Sequence, residues 1–233
     1  MMQGCVNWSI ENAGPDALII RFGQSIDEAR VPLIRAAADL LAAELGDQLR
    51  DLVPSYATLM LVYHPLRTDF AHLAQTINGL LSRLDVSQGE TGRLVEIPVY
   101  YAPETGPDLE RVARLHGIGI DEVISLHTAR EYRVFAIGFA PGFAYMGQVD
   151  AALRTPRLDT PRTVVPAGSV ALADQQTAVY PLASPGGWNL LGRTPMKMFD
   201  PALAGLCPVA AGDRVRFVPI ARAEFLAAGG VLS

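Results

Sequence analysis

Between positions 135 and 199 the chain is broken by glycine or proline every few residues, yet it stays apolar: FAIGFAPGFAYMGQVDAALRTPRLDTPRTVVPAGSVALADQQTAVYPLASPGGWNLLGRTPMKMF. Proline fixes φ and withholds a backbone donor, and glycine adopts backbone shapes that other residues avoid. A long helix cannot run through such a stretch. Short strand-like runs survive in it, at 133–137, 169–173 and 177–180. Regular turn signals between short strands predict closed or strongly curved β structure carrying ordered loops. Loops held by a rigid sheet are where ligand sites concentrate.

The first ninety residues have a different rhythm. Strands at 7–12 and 17–22 flank Ala13-Gly14-Pro15-Asp16, a hairpin signal. Ser25 is placed to cap a helix that runs to Leu45, with Pro32 early in it and Gly46 at its end. Its apolar stripe is Leu33, Ala37, Leu40, Leu41 and Leu45. After a break at Pro54 comes the strand TLMLVY, and Thr68 precedes a second helix over 69–84. A strand at 93–101 completes the order ββαβαβ, which predicts a small ferredoxin-like α+β layer over residues 1–92 with both helices on one face. Residues 93–233 open with two short helices, 108–116 and 121–127, and end on an alternating strand at 213–220. The expected fold class is an α+β N-terminal domain followed by a mainly-β barrel domain.

Composition excludes several functions. Half of the 233 residues are apolar, which is enough to bury a core and too many for a disordered chain. The net charge is −5 and the basic residues are scattered, whereas nucleic-acid binding needs a basic patch. No apolar stretch is long enough to span a bilayer. The first residues lack the basic and apolar regions of a signal peptide, so the expected location is cytoplasmic. Cys5 and Cys207 have no CxxC spacing and read as buried thiols. The four histidines have no metal-ligand spacing, and no metal site is expected.

The familiar catalytic signatures are missing too. There is no GxxxxGK[ST], GxSxG or HExxH, so a self-sufficient ATPase or hydrolase is not visible. Arg154, Arg157, Arg162 and Arg193 lie among the glycine–proline loops. They can converge on an anion with help from N–H groups at Gly142 or Gly186-Gly187, or pair with Asp150, Asp159 and Asp174. Arg162 and Arg193 are taken as candidate catalytic groups. So is His127, which ends a short helix and serves either as a carbonyl cap or as a general acid–base. Phe139, Phe143, Tyr145, Tyr180 and Trp188 suit either a core or a pocket wall; of these, Tyr145 and Trp188 are retained as substrate-binding candidates. Gly168 and Ser169, in the turn that enters a strand, join them. Met196-Lys197-Met198 matches the surroundings of biotinylated lysines, but it sits inside a longer β region and reads as an ordinary lysine between two buried methionines.

The runs Gly138-Phe139-Ala140-Pro141-Gly142-Phe143-Ala144-Tyr145, Thr160-Pro161-Arg162, Val165-Pro166-Ala167-Gly168-Ser169-Val170, Tyr180-Pro181, Ser184-Pro185-Gly186-Gly187-Trp188, Gly192-Arg193-Thr194 and Gly212-Asp213-Arg214-Val215-Arg216-Phe217 together resemble a known family. It is the family of bacterial 5-oxoprolinase B subunits, also described as allophanate hydrolase subunit 1 and as the Kip-type inhibitor of a sporulation kinase. The resemblance is dense from about 100 to 220. It implies a cyclophilin-like barrel over residues 93–233 and partnership with the C and A subunits of 5-oxoprolinase. It also implies an ATP-dependent opening of 5-oxo-L-proline to L-glutamate. The other family members imply a sensor histidine kinase as partner, or urea and allophanate as substrates. Tyr100-Tyr101-Ala102-Pro103-Glu104 departs from the Gly-Gly-containing turn of the family at this place.

Overall fold

In the computed structural model, which describes residues 7–84, 92–202 and 205–232, the chain divides into two units, 1–92 and 93–233. Cys5 lies outside the described residues. Among the described residues, no helix is long and apolar enough to cross a membrane.

The first unit contains β1 (Ser9–Asn12), β2 (Ala17–Arg21), α1 (Val31–Leu45), β3 (Leu49–Ser55), β4 (Thr58–Tyr63) and α2 (Phe70–Leu81). Its antiparallel sheet has the order β1-β2-β4-β3. Strand periodicity builds the core: Leu18 and Ile20 of β2 and Leu59 and Leu61 of β4 are fully buried. They share one cluster with Ile34, Ala37 and Leu41 of α1 and Leu73 and Ile77 of α2. Each buried Leu or Ile contributes about 1.5–3 kcal/mol on leaving water.

Four local expectations need correction. The first helix is not capped by Ser25. The Asp27 carboxylate accepts from the Ala29 amide at 3.0 Å and opens a short 3₁₀ turn, Glu28–Arg30, before α1. Pro32 then falls in the first turn of α1, where a missing N–H costs nothing. The second helix is capped by Asp69, whose carboxylate accepts from the His72 amide at 2.9 Å, and not by Thr68. Pro54 does not break the chain but lies inside β3, paired with Leu59 of β4; β3 is an edge strand, where proline is tolerated. The strand near 93–101 is not a sixth element of this unit, whose order is ββαββα, because it pairs in the second unit.

That second unit contains β5 (Leu94–Val99), α3 (Leu109–His116), α4 (Ile120–Thr128), β6 (Tyr132–Ile137), β7 (Ala144–Gly147), β8 (Arg162–Val165), β9 (Ser169–Ala173), β10 (Gln176–Val179), β11 (Ser184–Gly186), β12 (Asn189–Arg193), β13 (Arg214–Pro219) and α5 (Arg222–Ala227). Seven strands form one mixed sheet, β12-β9-β10-β7-β6-β13-β5. Its single parallel pair joins β5 to β13, with Leu94 opposite Arg214. The two ends meet at a bridge between Tyr100 and Arg193, which makes the sheet a nearly closed, barrel-like ring. β8 and β11 form a separate two-stranded sheet.

β9 reads Ser-Val-Ala-Leu-Ala and is buried at every position. A continuous apolar run of this kind marks a strand covered on both faces. Val170 and Leu172 join Val134, Met146 and Phe217 in the main cluster, with Val112 of α3 and Val123 of α4. Ala171 and Ala173 face a second, smaller cluster that contains Phe143, Val165, Tyr180, Trp188 and Leu190. The candidate site lies on this smaller cluster.

Candidate functional site

Five aromatic rings wall a concavity of about 250 Å³, lined by Phe139, Phe143, Tyr145, Arg157, Pro161, Tyr180, Pro185, Gly186, Gly187 and Trp188. Phe143 is the hub. Its ring meets Tyr145 at 4.8 Å, Tyr180 at 5.3 Å, Phe139 at 5.4 Å and Trp188 at 5.8 Å, measured between centroids. All four contacts are edge-on, the arrangement that the ring quadrupoles favour.

The backbone explains why these rings converge. Between β6 and β7 the chain folds on itself through Gly138 N–H to Phe143 O and Phe143 N–H to Ala140 O, each at 3.0 Å. Phe139 sits at φ +73° in this loop and is 69% exposed, so it projects at the rim. Gly142, at φ +83°, passes so close to the Met198 carbonyl that a Cβ would lie 2.3 Å from its oxygen. On the opposite wall, a Cβ on Gly186 would lie 2.2 Å from the Tyr180 hydroxyl. Glycine is therefore what lets the phenol lie across β11. Burial pushes the Tyr180 pKa up, opposed by a backbone hydrogen bond from Trp188 and by the fields of Arg157 and Arg162.

The structure brings together four of the residues chosen from sequence, Tyr145, Gly186, Gly187 and Trp188. It separates them from the rest. Gly142 packs on Met198, and Gly168, at φ +79°, packs on the Thr194 carbonyl. Ser169 is fully buried, opposite Arg193 in the β9–β12 pairing. None of these three lines the concavity.

The three candidate catalytic side chains are held elsewhere as well. Arg162 Nη2 donates to Asp108 Oδ1 at 2.8 Å, and the other oxygen of Asp108 accepts from the Leu190 amide at 2.7 Å. Arg193 Nη1 donates to the Val231 carbonyl at 2.7 Å. His127 has no exposure and both ring nitrogens are engaged. Thr177 donates its hydroxyl proton to Ala171 O at 3.0 Å, so its oxygen accepts from His127 Nε2–H at 2.9 Å. Nδ1 then accepts from the Tyr101 hydroxyl at 2.8 Å. With Phe217 stacked at 4.7 Å, burial pushes the His127 pKa down to about 3. This histidine is neutral and enclosed, not an accessible acid–base group.

The arginine that does reach the concavity is Arg157, one of the four loop arginines and not one of the two taken as catalytic candidates. Its guanidinium lies 5.9 Å from the centre of the Trp188 ring, within cation–π range. Phe139, Phe143 and Tyr180 line the wall as well, although their spacing in the sequence suits a core equally. Lys197 is exposed and 3.4 Å from Asp200, while Met198 is buried in the main core, so the tripeptide is not a projecting hairpin tip. Glu104 accepts from the Tyr100 hydroxyl at 2.7 Å and from Arg222 Nε at 3.0 Å, a structural use. Among the described residues, no group of three His, Cys, Asp or Glu side chains is placed to hold a metal.

The fold of this chain is also seen in a solved carboxylase. Kluyveromyces lactis urea carboxylase matches with a TM-score of 0.71 at 14% identity, over 94% of this chain and 22% of that one, a likeness of fold. The family model for the carboxyltransferase domain, subdomain C and D, matches residues 8–209, and the chain belongs to that family. Within it, the 5-oxoprolinase B subunit of Bacillus subtilis (strain 168) is 36% identical over 231 residues, covering 94% of this chain and 96% of that protein. The crystal structure of TTHA0988 has a TM-score of 0.78 at 40% identity. The match covers 88% of this chain and 40% of that one, so this chain spans less than half the length of that protein.

Proposed function

We propose that this chain is the B subunit of a multi-subunit 5-oxoprolinase, which opens 5-oxo-L-proline to L-glutamate with ATP as co-substrate. The observation that carries the reading is the identity of 36% to a 5-oxoprolinase B subunit over nearly the whole of both chains. In this reading the second unit is a cyclophilin-like barrel, the partners are the C subunit and the lactam-hydrolase-type A subunit, and the complex works in the cytoplasm.

The chemistry assigns a limited part to this chain. A lactam is a stable amide, and a phosphate placed on its carbonyl oxygen eases ring opening, a step that needs anion-stabilising donors. At about 250 Å³ the aromatic concavity lies below the roughly 300–1,000 Å³ usual for larger ligands, and Arg157 is the one charged residue among the described residues that line it, which suits a small guest better than a triphosphate. We therefore assign ATP to one of the partners and a small cyclic guest to this concavity. The acid–base role expected of His127, and the anion-binding roles of Arg162 and Arg193, are not carried into this reading.

The test is reconstitution. The chain co-purified with its A and C partners should release glutamate from 5-oxoproline only when ATP is present, and omission of this chain should abolish it. Equal glutamate release with and without the chain would end the reading.

A further inference from the structure

The concavity has a one-sided charge. Of the described residues that line it, Arg157 alone is charged. Arg162, next to Pro161 in the chain, does not line the concavity. Its Nη2 is bound to Asp108, while its Nη1 is buried without a partner among the described residues. The fields of both arginines act on the phenol of Tyr180, in the direction that favours negative charge there. Burial is the larger influence and raises the Tyr180 pKa, and Asp108 pairs with Arg162 at 2.8 Å, so the charge that the concavity itself offers a guest is that of Arg157.

Arg157 is carried on a fixed backbone and a loose side chain. On one side the Asp174 amide donates to Thr155 O at 2.7 Å, and on the other the Leu158 amide donates to Gly187 O at 2.7 Å. These bonds fix the backbone on both sides of Arg157. The side chain is 61% exposed, and its nearest carboxylate, on Asp174, is 3.9 Å away and 65% exposed. Ion pairs so long and so wet hold their members weakly. The guanidinium is thus available to a ligand, with its carbon 5.9 Å from the centre of the Trp188 ring, and a guanidinium so placed can bind a carboxylate through two N–H groups.

We propose that Arg157 is the specificity-determining group of the concavity, binding the carboxylate of a small cyclic acid whose ring lies against Tyr145 and Trp188. The identity of that acid as 5-oxoproline rests on the 5-oxoprolinase reading; the existence of a carboxylate site does not. Asp174 competes for the guanidinium at neutral pH, so the bound acid displaces a weak partner and does not meet an empty one.

The experiment uses the full chain with Trp8→Phe, which leaves Trp188 as the sole indole. Its emission is followed during titration with 5-oxoproline and, separately, with 2-pyrrolidinone, the same ring without the carboxylate. The expected result is saturable binding of 5-oxoproline at millimolar concentration or below, with 2-pyrrolidinone at least tenfold weaker. Arg157→Ala should weaken 5-oxoproline binding by roughly 10-fold to 100-fold, the range for a charge-assisted contact, and leave 2-pyrrolidinone unchanged. Arg157→Lys should restore part of the loss. Because the Arg157 side chain is mostly exposed, the melting temperature should not move and serves as the folding control. Absence of saturable 5-oxoproline binding, or equal binding of both compounds with no effect of Arg157→Ala, overturns the proposal. Selective, Arg157-dependent binding by a chain that fails to support glutamate release in the reconstituted complex would uphold the carboxylate site and reject the enzymatic reading.

Discussion

Tyr100 and Arg193 exchange both of their backbone hydrogen bonds, at 2.9 and 3.0 Å, and this one pair joins the two ends of the seven-stranded sheet. β5 and β12 are otherwise paired on one side only, with β13 and β9, and an unpaired strand edge invites pairing with another chain. The same two residues also fasten the C-terminal segment. Tyr100 stacks obliquely on Phe225 at 5.6 Å, and Arg193 reaches the Val231 carbonyl. The guanidinium of Arg193 is committed to the C-terminal segment, which explains why an arginine beside so many glycines is not part of the concavity.

The seam depends on Gly192. A Cβ there would lie 2.5 Å from the Tyr100 carbonyl oxygen and 3.1 Å from Val99 Cγ1. Gly192→Ala should therefore force the seam apart and cost about 1–3 kcal/mol, the usual range for overpacking. Gly187→Ala is the control, because its nearest neighbours would be at an ordinary 3.6 Å; it should change stability by less than about 0.5 kcal/mol. Urea unfolding followed by tryptophan emission distinguishes the two.

Loss of the Arg193 side chain should loosen the C-terminal segment first. Arg193→Ala removes the bond to Val231 O but keeps the backbone bridge to Tyr100. Amide exchange over residues 222–232 should accelerate roughly tenfold, as a local opening, while exchange in β9 stays slow. Uniform acceleration across both would mean that the side chain supports the whole unit.

Asp108 ties the β8 arginine to the strand that follows the aromatic turn. It is 5% exposed and serves both Arg162 and the Leu190 amide. Removing one member of a buried pair strands the other charge, at about 3–5 kcal/mol. Arg162 retains 28% side-chain exposure, so Asp108→Ala should fall near the lower end, about 3 kcal/mol. Asp108→Asn keeps an acceptor and should cost less. Chemical denaturation of the two variants gives the comparison.

Part of this site is visible in the order of residues. Glycine and proline mark turns for local reasons, so Gly186, Gly187 and Trp188 could be picked out as turn-borne groups, while Tyr145, which lies on β7, stands out only as one of five aromatics suited to a pocket wall; all four line the concavity. Phe139, Phe143 and Tyr180 have the same composition signal whether they fill a core or wall a pocket, and spacing does not separate the two. The arginines are harder still. Which guanidinium remains available depends on partners far along the chain: Asp108, 54 positions from Arg162, and Val231, 38 positions from Arg193. The same limit applies to β5, whose parallel partner β13 lies near the other end of the chain. Pro54 misleads for a related reason: it breaks a central strand but not an edge one, and edge position is a property of the assembled sheet.

The burial of His127 makes stability depend on pH with a definite sign. In the folded chain its pKa is pushed from 6.5 down to about 3, because protonation would charge a group that has no exposure. The unfolded chain still binds the proton near pH 6.5. Above that value both states are neutral at this position and its contribution is fully present. Between about 6.5 and 3 the unfolded state gains a proton that the folded state refuses, so stability falls on acidification by about 1.4 kcal/mol per pH unit. His127→Gln removes the titrating group, and the variant should lose this slope between pH 6.5 and 4.5. It should also be less stable than the parent at pH 7, since the Tyr101 hydroxyl and Thr177 lose well-placed partners. Urea midpoints at pH 7, 5.5 and 4.5 for both proteins test the claim; parallel pH dependence in the two would show that His127 is protonated in the folded state and that its enclosure is incomplete.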